Sequence, residues 1–173
     1  MNEWKVNFKE NNEGKAWVLG DDISTDDIIS GKFLEIRDFD ELSTHVFDSI
    51  IENFHEKMQP GDIIIAGNNF GYGSSREHAP FLLKYVGIGM ICAKSFARIF
   101  FRNAINLGLP LFTVKDDVFK CFNTGDEVVY TIEPAKIINK TCNETHKLQS
   151  FPEFFMNIIR QGGALAALRR ELE

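Results

Sequence analysis

The sequence predicts an α/β fold in which a parallel sheet, a smaller antiparallel sheet and flanking helices form one domain over residues 1–173. Two observations carry this expectation. Between Asp62 and Leu107, short apolar runs alternate with helix-like stretches in the order strand, helix, strand, helix, the pattern of a parallel α/β unit. Beyond residue 113 the composition changes. Val128-Val129-Tyr130-Thr131-Ile132 and Lys136-Ile137-Ile138 read as β-strands joined around Pro134, with a further short strand near Lys147-Leu148, which together predict a small antiparallel sheet.

Each element follows from local pattern. Residues 16–19 make a short apolar strand, and an acidic turn containing Asp21, Asp22, Asp26 and Asp27 follows it. These aspartates lack the glycine that an EF-hand loop needs for its sharp turn, so turn and capping roles are expected. Leu42, Val46, Ile50 and Phe54 recur at helical spacing behind Asp40, a suitable N-cap, and predict an amphipathic helix over residues 40–54. Pro60-Gly61 breaks the chain before the buried strand Ile63-Ile64-Ile65. A helix over 79–86 leads through Gly87 into a strand over 88–93, and Ser95 is expected to cap a helix reaching Leu107. Gly108 and Pro110 stop that helix and open a strand over 109–113. Helices over 151–160 and 164–170, separated by Gly162-Gly163, close the chain.

Composition excludes several classes of function. A chain of 173 residues with 44% hydrophobic residues can bury a sizeable core. The formal net charge of −6 is spread along the chain, which offers no field for nucleic acid. Its N-terminus is charged with no apolar run behind it, and no later stretch approaches the length of a membrane span, so a soluble cytoplasmic protein with no membrane partner is expected. The three cysteines, Cys92, Cys121 and Cys142, are odd in number and far apart, with no Cys-x-x-Cys. Neither a disulfide framework nor a self-contained zinc or iron–sulfur site is expected from that spacing. His45, His55, His78 and His146 show no metal-ligand spacing with one another. Structural roles are expected for them.

The densest chemistry lies in Gly67-Asn68-Asn69-Phe70-Gly71-Tyr72-Gly73-Ser74-Ser75-Arg76-Glu77-His78-Ala79-Pro80. It falls at the carboxyl end of a strand, where ligands collect in α/β sheets. Glycines permit close backbone approach, amides at a helix start favour negative charge, and Arg76 can grip a carboxylate with two parallel hydrogen bonds. Ser74-x-x-Glu77 also fits a capping box, a purely structural role. Pro80 argues against that register, since it is comfortable only if the helix starts near Ala79. Residue types alone leave the capping and ligand roles open. Neither the Gly-Lys-Ser/Thr ending of a nucleotide loop nor the spacing of a dinucleotide fold is present.

The stretch from Asn69 to Pro80 resembles the swivel domain of the aconitase superfamily, in the form carried by the separate small subunits of 3-isopropylmalate dehydratases. Upstream, Gly20-Asp21-Asp22-Ile23-Ser24-Thr25-Asp26-Asp27-Ile28-Ile29 and Gly31-Lys32-Phe33-Leu34 resemble the first strand and substrate loop of that family. Downstream, the run from Ala93 to Pro110 resembles the segment that follows. The resemblance implies a swivelling β/β/α fold and a hydro-lyase that dehydrates and rehydrates a small hydroxy-diacid. It also implies a four-iron four-sulfur cluster held by three cysteines on a separate large subunit, the partner chain, with no cofactor bound by this one. Carried over residue by residue, Ser74 is the catalytic base, acting as an alkoxide stabilised by cationic neighbours and backbone amides. Ser75 and Arg76 bind substrate carboxylate, and Gly71 and Gly73 shape the anion-binding loop. Alignment of residues 31–37 on the aconitase pattern Gly-Pro-Trp-Leu-Lys-Phe-Arg makes Arg37 a substrate contact and places specificity in Phe33, Leu34, Glu35, Ile36 and Arg37. Arg98 and Arg102 are expected to be structural or interface residues. Tyr72 departs from the small residue or cysteine associated with related subunits. An isopropylmalate substrate is the leading expectation. Homoaconitate, 2,3-dimethylmalate or a methylcitrate is the rival within the class, and a non-catalytic carboxylate-binding or partner-binding domain is the rival outside it.

Overall fold

A computed structural model describes residues 10–75, 77–149 and 151–172. In chain order the elements are β1 (Asn12–Val18), α1 (Thr25–Ile28), a 3-10 turn (Gly31–Phe33), α2 (Phe39–Ser43), α3 (Phe54–Lys57), β2 (Ile63–Ala66) and α4 (His78–Tyr85). Then come β3 (Met90–Ala93), α5 (Arg98–Leu107), β4 (Leu111–Thr113), α6 (Asp116–Phe119), β5 (Glu127–Ile132), β6 (Ala135–Asn139), β7 (Glu144–Lys147), α7 (Glu153–Arg160) and α8 (Ala164–Glu171). The strands lie in the order β4-β3-β2-β1-β5-β6-β7. Both expected sheets are present, and they share β1. Ala16, Trp17 and Val18 pair in parallel with Ile63, Ile64 and Ile65, whereas Asn12 to Lys15 pair antiparallel with Glu127 to Tyr130.

The period-2 alternation of strands sorts the parallel half onto two faces. Trp17, Ile64, Ile91 and Leu111 stand in register across four strands. They pack with Leu82 and Leu83 of α4 and Phe100 and Ala104 of α5. Ile65, Cys92 and Phe112, in register on the opposite face, pack with Tyr130 and Ile137 of the antiparallel half and Met156 and Ile159 of α7. Every residue of β2 and β3 is buried, which explains their uninterrupted apolar sequences. Cys92 is accordingly a sealed hydrophobe, and burial raises its thiol pKa.

Asp62 is the charged residue most deeply set in this core. It is 1% exposed and accepts from the Lys15 amide (2.8 Å), the Trp17 indole Nε1–H (2.9 Å) and the Gln59 amide (3.0 Å), tying the start of β2 to β1. Asp62→Asn replaces one acceptor oxygen by a donor that faces other donors. It is expected to lower stability by about 1–3 kcal/mol, read as a lower urea midpoint at unchanged m-value.

The single helix expected over residues 40–54 does not form. α2 is capped by Asp38, not Asp40, with the Asp38 carboxylate accepting from the Asp40 and Glu41 amides at 2.8 and 3.2 Å, and it ends at Ser43. The break comes at Phe47, whose φ of 60° is left-handed and whose amide donates to the Ile28 carbonyl at 2.9 Å. Its ring is fully buried and meets Phe54 edge-on at 5.0 Å. Leu42, Val46 and Phe54 are buried as expected, but Ile50 is 41% exposed and Phe47 takes the core position instead. Ser95 does not cap α5 either, because that helix starts at Arg98. Among the described residues no helix is long and apolar enough to cross a membrane.

Candidate active site

Three loops leave the carboxyl ends of adjacent parallel strands: one after β1, the glycine loop after β2, and a short one after β3. Backbone hydrogen bonds continue the sheet's pairing into them. The Asp22 amide donates to the Asn68 carbonyl (2.8 Å), the Gly71 amide to Ile23 (2.7 Å) and the Thr25 amide to Tyr72 (2.7 Å). On the other side the Phe70 amide donates to the Ser95 carbonyl (3.0 Å) and the Ala97 amide to Phe70 (2.9 Å). Ser95 also uses its hydroxyl here, accepting from the Asn69 amide at 2.8 Å. The aspartates of the acidic turn act as clamps. Asp21 accepts from the Asn68 amide at 2.6 Å and Asp22 from the Asn69 side chain at 2.8 Å. The backbone bond from Asn68 holds the Asp21 carboxyl below its ordinary pKa, with Lys94 adding to the effect.

This framework presents Ser74. Its amide donates to Thr25 Oγ1 at 3.0 Å, and the carbonyl of Ser75 accepts from Asn103 of α5 at 3.3 Å. The serine pair is thus held from below by the β1 loop and from the side by α5. Ser74 is half-buried and Ser75 exposed. Helix α4 begins at His78 behind Glu77, without a side-chain cap, so Ser74 is not its N-cap. Pro80 stands in the first turn, where its missing N–H is no loss. The capping box of this region is Ser24 with Asp27. The Asp27 amide donates to Ser24 Oγ (3.0 Å) and the Ser24 amide to the Asp27 carboxylate (2.8 Å).

A cleft of about 120 Å³ opens between the loops, lined by Ser24, Thr25, Asp26, Ile29, Gly73, Ser74 and Ala79. The first-turn amides of α4 lack intrahelical acceptors and Ala79 opens onto the cleft, so the positive end of that helix favours an anion there. No local sequence signal marks Thr25 or Asp26 as a support of the serine loop. Thr25 is 6% exposed and seats Ser74, while Asp26 accepts from the Gly31 amide at 2.8 Å and fixes the start of the 31–37 loop. Only the adjacency of β1 and β2 brings their loops together; a strand that long before the glycine loop carries no local signal of it.

Other expected site residues are placed differently. Arg76 lies outside the described residues. Within the 31–37 loop, Phe33, Leu34 and Ile36 pack against the core, and Glu35 and Arg37 are exposed. Arg37 does not line the Ser74 cleft. Phe33 turns away from it as well, stacking on His45 with centroids 3.8 Å apart beneath the Lys32 ammonium. On α5, Arg98, Ile99 and Arg102 are exposed, and Tyr72 is 41% exposed nearby in the fold. Neither arginine forms an ion pair among the described residues.

The cysteines do not assemble a three-thiolate site. Cys92 is sealed beneath the sheet, Cys121 is partly buried after α6 and Cys142 is exposed in the β6–β7 turn. Among the described residues, no three cysteines come together as ligands for an iron–sulfur cluster.

A sheet with parallel and antiparallel halves, zippered loops at its carboxyl edge and a serine pair over a helix start define a swivel domain. Residues 21–116 match the aconitase C-terminal domain family, to which the chain belongs. Within it the chain falls among small subunits of 3-isopropylmalate dehydratases. It is 46% identical over 158 residues to that subunit 1 of Methanopyrus kandleri, covering 91% of this chain and 92% of the relative. It is 43% identical over 160 residues to the isopropylmalate/citramalate isomerase small subunit of Methanocaldococcus jannaschii, covering 92% and 95%. The crystal structure of 3-isopropylmalate dehydratase from Methanocaldococcus jannaschii superposes with a TM-score of 0.86 at 40% identity, covering 94% of this chain and 95% of that one.

Proposed function

We propose that this chain is the small subunit of a two-chain hydro-lyase that isomerises 2- and 3-isopropylmalate by dehydration and rehydration in leucine biosynthesis, and that Ser74 is its base. The observation that carries the proposal is the placement of Ser74. It lines the cleft together with Ala79 of α4, it does not cap that helix, and its backbone amide donates to Thr25 Oγ1. In the forward step the proton on the substrate carbon moves to Ser74 Oγ, and the electron pair of the broken C–H bond forms the double bond as hydroxide departs. Serine does not ionise in water near neutral pH, so the alkoxide needs preorganised positive charge. The Ser74 amide is committed to Thr25, which leaves the α4 amides and Arg76 to supply that charge. Ser75 and Arg76 hold a substrate carboxylate. The four-iron four-sulfur cluster that supplies the Lewis acid for hydroxide departure belongs to the large subunit.

The test is reconstitution. The isolated chain is expected to show no hydro-lyase turnover and no bound sulfide, and to gain activity when mixed anaerobically with a cluster-loaded large subunit. Turnover without the partner, or stoichiometric iron and sulfide on this chain, overturns the assignment.

Substrate choice rests on the 31–37 loop. Its apolar residues are engaged with the core, so Lys32, Glu35 and Arg37 are the side chains it offers outward, and Arg37 is the one proposed to meet substrate in the assembled enzyme. Arg37→Ala is expected to change the ratio of kcat/KM between homoaconitate and isopropylmalate by roughly tenfold or more, as for a charged hydrogen bond of about 1.5–3 kcal/mol. Equal losses place Arg37 on the carboxylates common to both substrates; no loss returns it to solvent. A preference for homoaconitate, 2,3-dimethylmalate or a methylcitrate in the wild-type pair replaces isopropylmalate as the substrate.

A further inference from the structure

We infer that Cys121, Glu144 and His146 form a binding site for one late first-row divalent metal ion of the zinc type, set on the antiparallel half of the sheet apart from the Ser74 cleft. Glu144 and His146 are two residues apart on β7, so their side chains leave the same side of the strand. Cys121 arrives from the turn after α6. One ligand atom from each of the three lies within 4.8 Å of the others. Nothing in the spacing of Cys121 along the chain announces this meeting; the fold makes it.

Two further observations point to a ligand. His146 Nε2 is buried without a hydrogen-bond partner, and its nearest charged neighbour, the Glu144 carboxylate, stands off at 3.5 Å. A buried ring nitrogen with no partner is costly, and a metal is one of the few groups that satisfies it without a proton. The ligand-bearing backbone is also preorganised. Asn139, fully buried, donates from Nδ2 to the Cys121 carbonyl (2.9 Å) and to the Asp126 carboxylate (2.7 Å), and its Oδ1 accepts from the amides of Thr141 (2.9 Å) and Cys142 (3.4 Å). One side chain therefore fixes both the Cys121 turn and the β6–β7 turn, as outer-shell residues do around metal sites. The buried Phe122 ring, 5.7 Å from the His146 ring, supplies an apolar wall.

The donor set selects the ion. One thiolate, one imidazole and one carboxylate suit zinc and its late-transition neighbours, whereas calcium and magnesium require mostly oxygen ligands. Tetrahedral bonds of about 2.0–2.3 Å set ligand atoms roughly 3.3–3.6 Å apart. Rotation of the exposed Glu144 and a small turn of Cys121, whose Sγ now donates to the Asp117 carbonyl at 3.1 Å, close the site to that size. On binding, the thiol proton leaves to solvent and the sulfur donates its pair to the metal. Water fills the fourth position.

Cobalt tests the inference on the full chain after chelator treatment. Co²⁺ is expected to bind one per chain with a thiolate charge-transfer band in the near ultraviolet and tetrahedral visible bands, and Zn²⁺ to displace it. Cys121→Ser and His146→Gln are each expected to weaken Zn²⁺ binding by more than about 100-fold, beyond the effect typical of an outer-shell change, while Cys92→Ala leaves it intact. In the wild-type chain, where no variant need fold, Zn²⁺ is expected to protect Cys121 from alkylation by iodoacetamide, read by peptide mass spectrometry. Absence of a thiolate band, a band that survives Cys121→Ser, or equal alkylation of Cys121 with and without Zn²⁺ overturns the site.

Discussion

Ser74→Ala is expected to lower kcat of the reconstituted enzyme by about 10²–10⁴-fold or more, the range supplied by a positioned general base, with KM close to wild type. The fold should barely register the change. The contact that seats this residue runs from its backbone amide to Thr25 Oγ1 and is kept by alanine. Helix α4 starts at His78, so no cap is lost. A lost loop hydroxyl costs at most about 1 kcal/mol of stability. A variant whose thermal midpoint falls while kcat is spared assigns Ser74 a structural role and removes it from the chemistry. Ser75→Ala, by contrast, is expected to raise KM more than it lowers kcat, as fits a carboxylate-binding hydroxyl.

Gly71→Ala should damage stability and turnover together, which distinguishes it from the serine variant. At φ +80° the backbone is left-handed, and an added Cβ falls 2.2 Å from Phe100 Cγ and 2.6 Å from its Cβ. Phe100 has nowhere to withdraw, being 2% exposed and edge-on to Phe70 at 5.2 Å. A left-handed penalty of about 1–2 kcal/mol and overpacking of about 1–3 kcal/mol together predict a loss of roughly 2–5 kcal/mol. Relief of the clash pushes the loop outward, away from the bond between the Gly71 amide and Ile23, and carries Ser74 with it. Gly73→Ala is milder in stability, because its nearest neighbour is the Thr25 hydroxyl at 3.2 Å. Thermal midpoints and kcat of the two variants, measured side by side, check the order; an unaltered midpoint in Gly71→Ala contradicts the described packing.

The elements that were legible in the sequence are those whose cause is local. β2 and β3 are unbroken apolar runs because both faces of the sheet are covered. α4 announced its start through Pro80, and the break between α7 and α8 through Gly162-Gly163. What the sequence hid has a cause elsewhere in the chain. The predicted helix over 40–54 stops at Ser43 and cannot resume through Phe47, whose left-handed backbone gives its amide to the carbonyl of Ile28 at the end of α1, and no periodicity encodes that competitor. Ser95 looks like a helix cap, yet spends both its hydroxyl and its carbonyl on the glycine loop. The serine motif was visible as a motif, while Thr25 and Asp26, which seat it and tie it to the 31–37 loop, became visible only through parallel strand adjacency. The swivel-domain resemblance supplied the roles of Ser74, Ser75, Arg76 and Arg37, which residue types alone left open.

The double pairing of β1 bears on how the chain comes off the ribosome. Asn12 and Tyr130 are register partners separated by 118 positions. The first four residues of β1 therefore wait, with unpaired amides and carbonyls, until more than two thirds of the chain has been synthesised. Contacts of such separation slow folding, and an open strand edge in the meantime is a template for pairing with a neighbouring nascent chain. The parallel half, complete once β4 has emerged, can collapse earlier around Ile64 and Ile91. Its second face, Ile65, Cys92 and Phe112, stays uncovered until Tyr130, Ile137 and Met156 follow, so the sheet that carries the serine cleft is sealed only by the late part of the chain.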